Sequence, residues 1–133
     1  MPELWRVLVA DDDIEVCALI HTILKRGPYA LTICNEAESA LIHIQRDAPF
    51  DIIICDFTLP GISGLEFIAH VRADPASANV PIIMISGDAA SAVDARAKRA
   101  GADAFLNKPF ALAQFRSTVE TLLDGRLSVA SVS

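Results

Sequence analysis

The chain has 133 residues and a mass of 14.3 kDa; 53% of its residues are apolar, and 17 acidic against 11 basic side chains leave a net charge of −6. A chain of this size makes one domain and buries about two-thirds of its surface, enough for a core without staples. That excludes a disordered chain and a secreted disulfide scaffold. No apolar run reaches the ~18 residues of a membrane span, and the acidic balance argues against direct nucleic-acid or membrane binding.

The N-terminus, Met1-Pro2-Glu3-Leu4-Trp5-Arg6, lacks the basic-then-apolar build of a signal peptide, so a cytoplasmic protein is expected. The run Trp5–Ala10 reads as a strand and ends on Asp11-Asp12-Asp13. A helix over Ile14–Arg26 is stopped by Gly27-Pro28. Ala30–Cys34 is a second strand, and Ala37, Ala40, Leu41 and Ile44 then follow the i, i+3, i+4, i+7 spacing of a helix. The third strand, Asp51–Cys55, runs into Asp56 and the turn Phe57-Thr58-Leu59-Pro60-Gly61, before a helix over Leu65–Ala73. Val80–Ile85 forms a fourth strand and leads to Ser86-Gly87-Asp88. The alanine-rich helix that follows, about residues 90–100, is weakly amphipathic and expected to be loosely held until Gly101 ends it. Ala104–Leu106 is the fifth strand, ending in Asn107-Lys108-Pro109-Phe110, and Leu112, Phe115, Val119 and Leu122 mark the last helix. The small, polar stretch Gly125–Ser133 reads as a short flexible tail behind a domain of residues 1–124.

Five β-α units imply an α/β fold, a parallel sheet doubly wound by helices on both faces. Ligands of such sheets sit beyond the carboxyl ends of the strands, so chemistry is expected at residues 10–13, 34–36, 55–63, 86–89 and 106–110. If the first and third strands are neighbours, their ends lie ~4.8 Å apart, and two carboxylates at about that spacing repel by roughly 3 kcal/mol. Asp11, Asp12 and Asp56 carry three negative charges and Lys108 offsets one. One divalent cation would balance the remainder. Oxygen donors without histidine or cysteine favour magnesium or manganese over zinc, and magnesium suits a site completed by phosphate. Asp56 is then the candidate nucleophile that accepts a phosphoryl group as an acyl phosphate. Ser86 would donate a hydrogen bond to one phosphoryl oxygen and Lys108 would set a charge on another.

This constellation resembles the receiver domain of two-component response regulators. The resemblance rests on Asp11-Asp12 after Val7-Leu8-Val9-Ala10, on Asp56 in Asp-Phe-Thr-Leu-Pro-Gly-Ile-Ser-Gly, on Ser86 after Pro81-Ile82-Ile83-Met84-Ile85, and on Lys108 in Lys-Pro-Phe. It spans residues 5–124. It implies the flavodoxin-like, five-stranded order 2-1-3-4-5 with five helices. It also implies magnesium (or manganese) on the Asp12 and Asp56 side chains and the Thr58 carbonyl, with Asp11 assisting directly or through water. The phosphodonor would be a histidine of a sensor kinase or phosphotransfer protein. Ser86 and Phe105 would move on phosphorylation, changing a face made by the fourth helix, fifth strand and fifth helix that a protein target reads. A monomer or a phosphorylation-dependent dimer is expected, and Lys108-Pro109 corresponds to a cis peptide that aims the lysine. With no output domain following, a stand-alone receiver is expected, catalysing its own phosphotransfer and hydrolysis. Thr58, Leu59 and Ser63 depart from the residues common in the family. Thr58 and Asp88 lie where side chains help or block an attacking water.

Other functions fit less well. An aspartate-nucleophile phosphohydrolase needs a second acid where Thr58 stands. A flavin carrier needs a phosphate-binding first loop, which Asp11–Asp13 would repel. A degenerate receiver would not keep all of Asp11, Asp12, Asp56, Ser86 and Lys108. Asp13 reads as a helix cap. His21, His43 and His70 share no spacing and read as surface residues. Cys17, Cys34 and Cys55 form no Cys-x-x-Cys pair and read as small core hydrophobes.

Overall fold

A computed structural model describes the backbone of residues 4–47, 49–87 and 91–132, with side chains for all of these except 91–95 and 126–132. Five strands alternate with five helices: β1 (Trp5–Ala10), α1 (Ile14–Leu24), β2 (Tyr29–Cys34), α2 (Ala37–Asp47), β3 (Ile52–Asp56), α3 (Gly64–Ala73), β4 (Ile82–Ser86), α4 (Ser91–Ala100), β5 (Ala104–Asn107) and α5 (Leu112–Val132). All four strand pairings are parallel, and the sheet order is β2-β1-β3-β4-β5. The doubly wound 2-1-3-4-5 sheet expected from the sequence is therefore present.

The two-residue period of the strands sorts the core. Leu8, Ala10, Ile53, Cys55, Ile82 and Met84 point to one face, where Ala40 and Ile44 of α2, Phe67, Ile68 and Val71 of α3, and Ala97 of α4 cover them. Val7, Val9, Ile52, Ile54, Ile83 and Ile85 point to the other, against Ile20 and Leu24 of α1 and Phe115, Val119 and Leu123 of α5. Every residue of β3 and β4 is buried, which is why these strands read as unbroken apolar runs rather than alternating ones. The order matters for function. It puts β1 beside β3 and so brings the two acidic strand ends together.

Local signals set the helix starts. Asp13 caps α1, its carboxylate accepting from the Glu15 and Val16 N–H groups. Ser63 and Glu66 form a capping box at α3. Gly101, at φ +116, closes α4. Arg72, in the last turn of α3, reaches the carbonyls of Gly101, Ala78 and Val80 and the Asp103 carboxylate, which itself accepts from the Ile82 N–H. It ties the end of α3 to the end of α4 and to the entry of β4. Helical backbone in α5 runs past Gly125 to Val132, where the sequence places a tail. Cys17, Cys34 and Cys55 are free and buried. Burial raises all three thiols, Cys17 to about 11 and Cys55 well above the ordinary range, with nearby carboxylates adding to both. Among the described residues no helix is long and apolar enough to cross a membrane.

Candidate functional site

The carboxyl ends of β1, β3, β4 and β5 meet in one acidic cleft. Ala10 pairs with Cys55 across β1 and β3, so Asp11 and Asp56, each the next residue, emerge side by side. Asp11 is 1% exposed and Asp56 6%, whereas Asp12 is open to solvent. One carboxylate oxygen from each of Asp11, Asp12 and Asp56 lies within 4.8 Å of the others.

Lys108 enters from the turn after β5. Its backbone N–H donates to the Ser86 carbonyl at 2.7 Å, which fixes the turn against β4. The Lys108–Pro109 peptide is cis, as the resemblance implies. The Lys108 Nζ donates to Asp56 Oδ2 at 2.8 Å and more weakly to Asp11 Oδ1 at 3.4 Å, and lies 3.1 Å from Asp11 Oδ2. Burial works against the ammonium charge, but the hydrogen bonds to Asp56 and Asp11 outweigh it and hold the lysine above its ordinary pKa.

Asp11 is the strained member. Its Oδ1 accepts from the Asp13 N–H at 2.8 Å. Its Oδ2, though ion-paired with Lys108, is a buried oxygen that accepts no hydrogen bond. Burial pushes the Asp11 carboxyl up to about 6, and the Asp56 charge adds to this, against the Asp13 N–H and Lys108. A buried carboxylate oxygen without a donor is costly unless something else neutralises it. A hard divalent cation would do so, and the all-oxygen donor set suits magnesium or manganese. The residues present therefore fit such an ion.

The remaining predicted residues surround this centre. The Thr58 N–H donates to Asp56 Oδ1 at 3.0 Å, folding the turn back on the carboxylate, while the Thr58 residue is exposed. Ser86 is buried at the end of β4, one residue beyond the Ile85 that pairs with Asp56. Phe105 is half-buried and packs with the α3 and α4 core. Asp88 lies outside the described residues. His21, His43 and His70 are not among the carboxylates that converge in the cleft; His43 pairs with Asp47 on α2 at 2.8 Å and lines a neighbouring hollow that Asp12 and Pro60 also line.

Two supporting contacts carried little sequence signal. A Cβ on Gly64 would come within 2.4 Å of the Asp56 carbonyl oxygen and 2.8 Å of that of Phe57, so the first turn of α3 packs directly on the backbone of the cleft. The capping-box spacing from Ser63 to Glu66 marks this helix start, but not the closeness of the approach. Arg96 of α4 lies over the Phe57 ring, 5.6 Å from its centroid, linking α4 to the residue after Asp56.

Among known proteins, the family described as the response regulator receiver domain matches residues 7–120. The transcriptional regulatory protein PrrA of Mycobacterium tuberculosis is 35% identical over 130 residues, covering 96% of this chain and 54% of PrrA. A putative response regulator from Chloroflexus aurantiacus superposes with a TM-score of 0.87 at 30% identity, covering 92% of this chain and 99% of that one. The receiver domain of sensor histidine kinase PA1611 from Pseudomonas aeruginosa, solved with magnesium coordinated in its active site cleft, shares the fold. Its TM-score is 0.83 at 23% identity, with 91% of this chain and 98% of that one covered. The chain spans about half, or less, of the length of the curated relatives it matches.

Proposed function

The chain belongs to the response regulator receiver domain family of two-component systems, and on that premise we propose that Asp56 accepts a phosphoryl group from a phosphohistidine. The donor would be a sensor histidine kinase or a histidine phosphotransfer protein, and the setting the cytoplasm. The observation that carries this reading is the convergence of the Asp11, Asp12 and Asp56 carboxylates within 4.8 Å, with the Lys108 Nζ 2.8 Å from Asp56.

In the reaction an Asp56 carboxylate oxygen bonds to phosphorus as the phosphorus–nitrogen bond breaks, and the leaving imidazole takes up a proton. Such a transfer asks the protein mainly for positioning and charge. The Thr58 N–H on Oδ1 and Lys108 on Oδ2 fix the Asp56 carboxylate in the cleft. Lys108 then offers its charge to a phosphoryl oxygen, and the Ser86 hydroxyl donates to another. Asp11, Asp12 and Asp56, with the Thr58 carbonyl, would hold magnesium or manganese, which supplies the positive charge that offsets the carboxylates and the incoming phosphoryl group. The magnesium in the cleft of the Pseudomonas receiver supports this choice.

Output follows from the movement of Ser86 toward the phosphoryl oxygen and of Phe105 inward, which alters the surface of α4, β5 and α5 for a protein target. The protein would catalyse its own phosphotransfer and dephosphorylation. Adding magnesium and beryllofluoride should give a bound fluorine NMR signal, and a small phosphodonor should add one phosphoryl mass. Both should vanish in Asp56→Asn. A signal that survives that substitution would overturn the assignment of Asp56.

A further inference from the structure

The sheet's other end carries a second concentration of unusual residues. The chain has one tryptophan and one tyrosine, and β1 and β2 set them side by side, Trp5 in register with Tyr29. Both are only half-buried. The Tyr29 ring is held by its own turn: a Cβ on Gly27 would meet it at 2.7 Å, so the glycine makes room for the ring. Leu4, next to Trp5, is 55% exposed. Aromatic residues and arginine in this half-open state are what protein interfaces enrich.

Two adjoining cavities, of about 290 and 440 Å³, flank Tyr29 and share Pro28, Tyr29 and Glu120. Arg26 and Arg116 line the first, whereas Trp5 and Asp124 line the second. The groove thus carries two arginines on one side of Tyr29 and Asp124 with Trp5 on the other, with Glu120 lining both. Arg116, Glu120 and Asp124 follow one another at four-residue steps along α5, on one face of the helix. Among the described residues none of Arg26, Arg116, Glu120 and Asp124 has an ion-pair partner.

A patch that carries both arginines and carboxylates can complement itself under a two-fold rotation, the requirement of an isologous dimer. We propose that a second copy of this chain docks here, with α5 antiparallel to its mate, Arg116 facing the partner's Glu120, and the Trp5–Tyr29 pairs meeting between them. The interface lies at the N-terminal ends of β1 and β2, away from Asp56. It goes beyond the phosphotransfer reading and does not depend on it.

Sedimentation of the full chain tests this, with Trp5 fluorescence as a local probe because there is no other tryptophan. The mass should rise with concentration from 14.3 kDa toward twice that value, and the Trp5 emission should shift to the blue over the same range. Arg116→Glu should weaken association at least about tenfold, as a like-charge contact does. Adding Glu120→Arg to it should restore association. Asp56→Asn should leave all of this unchanged. A chain that stays monomeric overturns the proposal, whether Trp5 emission is red or already blue from cover by the chain's own termini. A dimer indifferent to Arg116→Glu, in a variant that melts like the parent, or one that forms only with beryllofluoride, also overturns it.

Discussion

Replacing Lys108 with methionine separates the two roles the cleft gives that side chain. The lysine is the internal counter-ion of a buried acid pair, 2.8 Å from Asp56 and 3.1 Å from Asp11. It would also have to share those oxygens with an incoming cation. With the lysine the four groups sum to two negative charges, and without it to three. A unit charge about 4 Å from a divalent ion contributes about 2 kcal/mol even at the dielectric constant of water, and several times that in a drier site. Because Asp12 opens the cleft to solvent, the lower figure applies, and magnesium affinity should rise roughly thirtyfold in Lys108→Met. Part of the gain is hidden near neutral pH. Lys108 lowers the Asp11 pKa, so the variant holds a proton on Asp11 that a metal must displace. Calorimetric magnesium titrations of parent and variant at pH 8 avoid that competition. Phosphotransfer should nevertheless fall, because the charge meant for a phosphoryl oxygen is gone. Equal or weaker magnesium binding by the variant at pH 8 would refute the view of Lys108 as the cation's competitor.

Three further outcomes follow from contacts nearby. In chelator, Asp11 holds a proton in the folded chain up to about pH 6, whereas the unfolded carboxyl releases it near 3.8; its share of stability therefore grows as pH falls through 6, by up to about 3 kcal/mol. Urea melts should show Asp11→Asn more stable than the parent at pH 7 and the gap closing toward pH 4; a gap independent of pH would exclude it. Gly64→Ala, which forces a Cβ to 2.4 Å from the Asp56 carbonyl, should cost about 1–3 kcal/mol and weaken beryllofluoride binding by fluorine NMR, and unchanged binding would show that the close approach does not position Asp56. Arg72→Ala strips donors from the Gly101, Ala78 and Val80 carbonyls and should cost about 2–4 kcal/mol in denaturant; Arg72→Lys should recover little, since one ammonium cannot span these acceptors.

Why some of this was legible in the sequence and some was not is a matter of range. The buried rows Ile52–Cys55 and Ile82–Ile85 announce central strands because both faces are covered, and the parallel order then follows from the alternation with helices. Asp11, Asp12, Asp56 and Lys108 were recognisable because chemistry that needs charge at strand ends leaves charge in the sequence there, and the structure brings these four together. Arg72 was silent. Apart from the Asp103 carboxylate, its acceptors are backbone carbonyls up to 29 residues away, and a carbonyl has no letter. The approach of Gly64 to Asp56 is equally silent, since a missing side chain says nothing about what fills its space. The small, polar stretch Gly125–Ser133 reads as a tail because chain ends fray unless something ties them down, yet helical backbone runs on to Val132.

The three cysteines, unremarkable as packing, make the folded chain chemically quiet. With a pKa of about 11, Cys17 is a thiolate in only about one molecule in ten thousand at pH 7, and burial pushes Cys34 and Cys55 in the same direction. Alkylating reagents attack accessible thiolates, so a single cysteine introduced on the surface should take up a dye or spin label ahead of the buried native three. Unfolding exposes all of them. The number of thiols that react therefore counts opened molecules, giving a clock for global unfolding that needs no substitution at all.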